Sequence, residues 1–168
     1  MNCIQTFCSL DQGPLSGIFL TSDGESLQSL QFIIGSIEKE RLLSQRNPRH
    51  SECELHRRAH DQLEEYINGR LRSFDLPIQL NGTEFQRKVW HIIEDIPHGQ
   101  VLTYGQIAAK LGSPGLSRAV GQAANKNPIP LIIPCHRVVG AGGKLTGFAS
   151  GVELKSYLLS HERRDRLW

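Results

Sequence analysis

Cys135 carries the most reactive side chain of the sequence in the most suggestive company. It stands between Pro134 and His136, in the run Asn127-Pro128-Ile129-Pro130-Leu131-Ile132-Ile133-Pro134-Cys135-His136-Arg137-Val138-Val139. A thiol is a weak nucleophile until it ionises, and a neighbouring imidazole or a helix N-terminus lowers its pKa. Pro134 suits a helix start, which would aim backbone N–H dipoles at sulfur. The Cys-His dipeptide alone decides little, because most cysteines are buried packing residues. Cys3, Cys8 and Cys53 could join His50, His56 and His60 as zinc ligands, but their spacing fits no compact zinc pattern. They are read as plain thiols and surface histidines, with no metal and no cofactor expected.

Several elements must hold Cys135 in place. The apolar residues Leu131 to Ile133 read as a strand that delivers it. Upstream, Thr83-x-x-Gln86 resembles a capping box, followed by a helical stripe of Phe85, Val89, Ile92, Ile93 and Ile96 that Pro97-His98-Gly99 breaks. Thr103 can cap a second helix, which turns Ile107, Ala108 and Leu111 inward. Gly112-Ser113-Pro114-Gly115 is a tight turn, and a third helix runs from about Leu116 to Asn125. Two short helices joined by a glycine-containing turn outline a helix-turn-helix. The third helix is thin, with Ala119, Gly121, Ala123 and Ala124. It suits either close helix packing or a fit to a nucleic-acid groove by shape, since it offers few base-reading side chains.

The first eighty residues read as a scaffold. Apolar residues in 17–21 and 27–32 flank the Ser22-Asp23-Gly24 turn, a hairpin signal. Residues 54–68 place Leu55, Ala59, Leu63, Tyr66 and Ile67 at helical spacing before Gly69. Phe74 to Ile78 reads as an edge strand or extended linker, because Pro77 cannot donate to a central ladder.

Charge is uneven. The net +2 divides into −3 over residues 1–82 and +5 over residues 83–168, and no Asp or Glu occurs from Ile96 to Val152. Lys110, Arg118, Lys126, Arg137 and Lys144 lie inside that gap. Such a segment suits a surface that meets phosphates, although a chance lull in acidic residues would look the same. No run of 18 apolar residues occurs, and the N-terminus lacks the features of a secretory signal, so a cytoplasmic protein without a membrane span is expected.

The run Ile132 to Val139, with Arg118-Ala119-Val120-Gly121 and Asn127-Pro128 before it, closely resembles the O6-alkylguanine-DNA alkyltransferase family, the methylated-DNA–protein-cysteine methyltransferases. Leu145 to Gly151, Lys155 to Leu159 and His161-Glu162 are similar as well. The resemblance is strong over residues 83–162 and weak before them. It implies an α/β fold: a small N-terminal sheet-plus-helix domain over 1–80 (RNase H-like), and a mostly helical domain over 83–168 with a helix-turn-helix, winged-helix-like core that binds DNA and transfers alkyl groups. It implies that Cys135 accepts the alkyl group, that His136 takes the thiol proton through a water, and that Glu162 orients the imidazole. It makes Asn127 the holder of the turn near Cys135 and Tyr104 the proton donor to the guanine ring. Arg118 would be the finger that fills the space of the extruded nucleotide. Thr103, Ser113, Ala119, Gly121, Val138, Phe148 and Ala149 would contact DNA or the base, through the Val138 carbonyl and the Ala149 N–H among others.

The implied activity is single-turnover, irreversible repair of O6-alkylguanine in double-stranded DNA. The protein would be a monomer that works from the minor groove on a flipped base. O4-alkylthymine is a further candidate substrate. The sequence departs from the family at Phe148, where tyrosine is common, and at Ser150, where glycine is usual, both beside the expected pocket. Three rivals are weighed against this reading. A non-catalytic sensor of alkylated DNA would carry Trp in place of Cys135. A helix-turn-helix regulator with a redox or metal switch would bind one duplex sequence tightly. A cysteine hydrolase would turn over many times.

Overall fold

The structure is a computed structural model, and it describes residues 4–10, 12–45 and 53–164. Cys3 and His50, two of the residues weighed as zinc ligands, lie outside the described residues. The chain divides into two compact units, 1–80 and 81–168. Both mix helices with small sheets.

The first unit is built on an antiparallel sheet in the order β1 (Ile4–Cys8), β2 (Leu15–Ser22) and β3 (Leu27–Ile34). The expected hairpin is β2–β3. Its turn is set locally: Asp23 Oδ1 accepts from the N–H of Glu25 at 2.9 Å and of Ser26 at 2.8 Å, as aspartate does in Asx turns. A Cβ on Gly17 would run into the Phe7 ring, so glycine there lets β1 approach β2. Two helices follow, α1 (Ser36–Gln45) and α2 (Glu54–Ile67). The sequence reading missed β1 and α1. The alternation of Ile4, Thr6 and Cys8 carried the first signal, whereas α1 buries little beyond Leu42 and carries hardly any.

Helix α2 buries Leu55, Ala59, Leu63, Tyr66 and Ile67, the face its periodicity marked. It also buries His56, which the sequence placed on the surface. The imidazole bridges β1 and β2: Nδ1 lies 2.6 Å from Thr6 Oγ1, and Nε2 lies 2.8 Å from Ser22 Oγ. With both nitrogens bonded, a histidine can be buried neutral at small cost. Residues 74–78 meet the sheet through a parallel bridge between Ile78 and Leu27, as an edge segment with a proline should.

In the second unit, α3 (Glu84–Glu94) and α4 (Tyr104–Lys110) both start with complete capping boxes, Thr83 with Gln86 and Thr103 with Gln106. Such reciprocal bonds are worth roughly 1 kcal/mol each and fix where a helix begins. Val89, Trp90 and Ile93 of α3 are buried, with Ile96 just beyond it. The Trp90 indole N–H donates to the Ala123 carbonyl at 2.8 Å and ties α3 to α5 (Ser117–Asn125). Helices α4 and α5 are joined by a turn and one 3₁₀ turn, Pro114–Leu116.

A short parallel pair, β4 (Leu102–Thr103) with β5 (Val138–Val139), matches Leu102 to Val138 and Thr103 to Val139. It lays the start of α4 beside the chain leaving Cys135. The last helix, α6 (Val152–Arg164), buries Leu154, Lys155, Leu158, Leu159 and Glu162 along one side. Among the described residues no helix is long and apolar enough to cross a membrane.

Candidate active site

Cys135 opens a single 3₁₀ turn, Cys135–Arg137. The expected strand before it, Leu131 to Ile133, is instead a turn. Pro128, Pro130 and Pro134 remove three backbone donors, so no ladder can run through the segment. Ile133 N–H donates back to the Ile129 carbonyl at 3.0 Å, and Leu131 takes φ 82°, the one positive value outside glycine among the described residues. That conformation costs about 1–3 kcal/mol. Burial of the Leu131 side chain returns about 1.5–3 kcal/mol, enough to offset it. Asn127 adds two bonds: Nδ2 donates to the Ile133 carbonyl at 2.7 Å, and Oδ1 accepts from Ile129 N–H at 3.0 Å.

The expected helix start at Pro134 therefore yields only one turn, too short for much of a dipole. The expected lowering of the thiol pKa does not occur. Burial pushes Cys135 up to about 11, against an Asn127 hydrogen bond, the Lys155 charge and the backbone N–H groups at the sulfur. The resting sulfur is protonated.

His136 is fully buried. Its Nε2 lies 2.8 Å from Glu162 Oε1, and its Nδ1 has no hydrogen-bond partner. A carboxylate at Nε2 puts the ring proton there and leaves Nδ1 as the free acceptor. Burial holds the imidazole below the usual histidine range, although Glu162 works the other way, so the ring is a neutral base.

Glu162 is fully buried too. Oε1 accepts from His136 Nε2 and, at 2.8 Å, from Arg137 Nη2. Oε2 accepts from Gly99 N–H at 2.9 Å and from Arg137 Nε at 3.0 Å. Burial opposes its ionisation, but the bonds and charges of His136 and Arg137 prevail and keep it well below the usual carboxylate range. Arg137 Nη1 donates to the Ile96 carbonyl at 2.6 Å. Arg137 is thus removed from the set of phosphate-facing cations: only 5% of it is exposed, and it neutralises Glu162.

The Tyr104 hydroxyl donates to the Thr146 and Gly147 carbonyls at 3.0 and 3.1 Å. Burial and the nearby Cys135 push its pKa up. Gly147 has φ 61°, and a Cβ there would stand 3.0 Å from the Tyr104 hydroxyl, so glycine lets this loop meet the ring. Lys155, fully buried, also donates to the Thr146 carbonyl, at 2.8 Å. The structure therefore gathers buried Cys135, His136 and Glu162 with half-buried Asn127 and Tyr104 around one turn.

Arg137, Lys155 and Gly99 join that cluster and were not assigned to it from the sequence, where Arg137 counted among the phosphate-facing cations. Lys155 had a signal: it interrupts the apolar face of α6 and stands two turns before Glu162. The residues assigned to DNA contact differ widely in exposure. Thr103 caps α4, and Gly121 lies against the Tyr104 ring. Val138 is buried in β5; Ala119 and Phe148 are half-buried; Ser113, Arg118 and Ala149 are exposed. Helix α5 buries Val120, Ala123 and Ala124 and exposes Arg118, Gln122 and Asn125 in one stripe. Its small residues thus serve packing on one side and leave a slim face on the other.

Residues 84–164 match the model of the 6-O-methylguanine DNA methyltransferase DNA-binding domain. The chain is 44% identical to the methylated-DNA–protein-cysteine methyltransferase of Methanosarcina acetivorans over 93% of its own length and 97% of that protein. It is similar to the crystal structure of Mycobacterium tuberculosis O6-methylguanine methyltransferase, with a TM-score of 0.79 and 37% identity over 96% of this chain and 94% of that one. It is also similar to the M. tuberculosis protein in complex with DNA, with a TM-score of 0.77 and 34% identity, covering 96% and 93% of the two chains. A relative of that identity and coverage decides the matter: the chain belongs to the methylated-DNA–protein-cysteine methyltransferase family.

Proposed function

We propose that this protein repairs DNA by direct reversal, moving the alkyl group of O6-alkylguanine onto Cys135. The observation that carries the reading is the buried His136–Glu162 pair next to Cys135 in the chain, in which His136 Nδ1 is the one ring nitrogen left to receive a proton. A thiol held near 11 cannot wait as a thiolate at neutral pH, so its proton leaves as the reaction proceeds. A bridging water passes it to His136 Nδ1, and the Glu162 carboxylate balances the imidazolium. Sulfur attacks the alkyl carbon, the C–O6 bond breaks, and its electron pair leaves with the guanine. The Tyr104 hydroxyl turns from the Thr146 and Gly147 carbonyls and donates its proton to the ring. The Cys135 and Val138 carbonyls accept from the guanine amino group, and Ala149 N–H bonds O6, beside Phe148.

The product is a thioether, which water does not cleave. The protein acts once, as a monomer, in the cytoplasm and without a cofactor. O4-alkylthymine is the further candidate substrate. A base inside a duplex must be flipped out, at a cost of a few kcal/mol. Helices α4 and α5 act as the helix-turn-helix of a winged-helix-like unit, and the slim face of α5 enters the minor groove with Ala119 and Gly121 toward it. Arg118 takes the place of the extruded base. Thr103 and Ser113 at the helix starts, and the exposed Lys110, Lys126 and Lys144, meet backbone phosphates. The N-terminal unit is an RNase H-like scaffold, a reading its antiparallel sheet and flanking helices support.

Intact mass after mixing with a duplex containing one O6-methylguanine tests this. A gain of one methylene mass on Cys135, in a one-to-one burst that then stops, is the expected result. No gain would favour a sensor, continued turnover a hydrolase, and either would overturn the reading.

A further inference from the structure

Arg137 makes more bonds to Glu162 than His136 does. Its Nε stands 3.1 and 3.0 Å from the two carboxylate oxygens, and its Nη2 stands 2.8 Å from Oε1. Nη1 donates to the Ile96 carbonyl at 2.6 Å and fixes the guanidinium from its far side. The planar fork of arginine suits such a carboxylate. His136 has Oε1 alone, at 2.8 Å, and shares it with Nη2. This division matters for the base. Away from water, a carboxylate within bonding distance favours imidazolium over imidazole. A ring that already holds two protons cannot take a third from the thiol. Here a guanidinium matches the carboxylate first, so the ring faces a pair with almost no net charge. Lys155 of α6 also disfavours a second cation, and Cys135, the preceding residue, rests protonated. Residues 96–99 bond the cluster through the Ile96 carbonyl and the Gly99 N–H.

We infer that Arg137 is a positioning residue for the base: by holding both oxygens of Glu162 it keeps His136 neutral, with Nδ1 open, until the Cys135 proton arrives. The inference rests on His136 being the base of the proposed transfer. Glu162 orients the ring, and Arg137 keeps that carboxylate from charging it at rest. The balance is simple: the thiol proton passes through the water to Nδ1, S–C forms as C–O6 breaks, and Glu162 then stands between two cations. The imidazolium is a transient of the reaction, whereas an unshared carboxylate would hold it before the substrate came.

The test is the titration of the His136 ring, followed by NMR of ¹³C-labelled histidine in the full chain, with its signal assigned by its loss in His136→Gln. The wild-type midpoint should lie below the ordinary value of 6.5. Arg137→Gln keeps a donor for Glu162 and drops the charge. Arg137 and His136 bond the same oxygen, so their nitrogens stand less than about 6 Å apart, where loss of a cation should raise the midpoint by at least about one pH unit and carry it above the ordinary value. A ring merely loosened into solvent would stop at the ordinary value. A glutamine variant that titrates at or below that value therefore overturns the inference. Arg137→Lys keeps the charge and should stay below it; a lysine variant that rises as far as the glutamine one overturns the inference equally. If Arg137→Gln does not fold, the wild type decides, since a wild-type midpoint above the ordinary value would show the carboxylate charging the ring with Arg137 in place. The acid limb of single-turnover transfer from methylated duplex should follow the same midpoints. Failure of transfer from DNA with the titrations intact would sink the repair reading and leave the role of Arg137 standing.

Discussion

Replacing Glu162 by glutamine removes one charge and turns one acceptor oxygen into a donor, at a position where both oxygens face donors. Oε1 meets His136 Nε2 and Arg137 Nη2, and Oε2 meets Gly99 N–H and Arg137 Nε. Neither amide orientation satisfies all four. With its NH₂ toward His136, the imidazole must accept at Nε2, which moves its proton to Nδ1 and blocks the base. With its NH₂ toward Gly99, two donors collide and buried Arg137 loses its counter-ion. Breaking one side of a buried ion pair costs about 3–5 kcal/mol, which for a chain of this size lowers Tm by roughly 6–20 °C. Loss of the base slows transfer by about 10²–10⁴-fold. Single-turnover transfer from an O6-methylguanine duplex, with a thermal melt of the same sample, reads both effects. The pH dependence adds a check. The Glu162 pKa is depressed in the fold, so its contribution is full above the usual carboxylate value and fades as the pH falls through the folded one. The glutamine variant should lack that part of acid unfolding. A Glu162→Gln protein that melts within 2 °C of wild type, by this scale less than about 1 kcal/mol, and transfers at a near-normal rate would refute the reasoning.

Arg118→Ala removes an exposed cation from α5. Duplex affinity should fall and the slope of log affinity against log salt should shrink by about one, while the melt stays within about 0.5 kcal/mol of wild type; an unchanged binding isotherm would contradict the role given to Arg118. Tyr104→Phe keeps the ring but removes the donor, so transfer should slow at least about tenfold with DNA affinity unchanged, as single-turnover kinetics beside binding titrations would reveal. His56→Leu leaves the Thr6 hydroxyl without its imidazole partner and the Ser22 hydroxyl with only the Gly24 N–H, and should cost about 1–3 kcal/mol in urea unfolding, with transfer intact in the folded fraction. Because burial lowers the His56 pKa, its contribution is full above the usual histidine value and declines below it, so the variant should flatten the fall in stability on acidification.

The local elements were legible where their signals are local. Thr83 with Gln86 and the periodic face of α2 encode a helix start and a buried face within one window of sequence. Cys135, His136 and Glu162 were legible through the resemblance of their motif, not through spacing, since 26 residues separate His136 from its carboxylate. The reading of Leu131 to Ile133 as a strand failed because apolar content was weighed above three prolines. Leu131 could take a positive φ there because Asn127 and the surrounding core secure the turn.

Sequence alone determined which residues could do chemistry, where helices start, and which family the chain resembles. Tertiary structure decided the electrostatics. Whether Arg137 meets phosphate or Glu162, whether His56 is solvated or bridges two strands, whether Lys155 is a surface charge or a buried one, and whether the Cys135 thiol rests ionised or protonated all depend on what surrounds each group in space. Desolvation and pairing scale with distance and burial, quantities that residues far apart in the chain acquire only when folding brings α6 against the active turn.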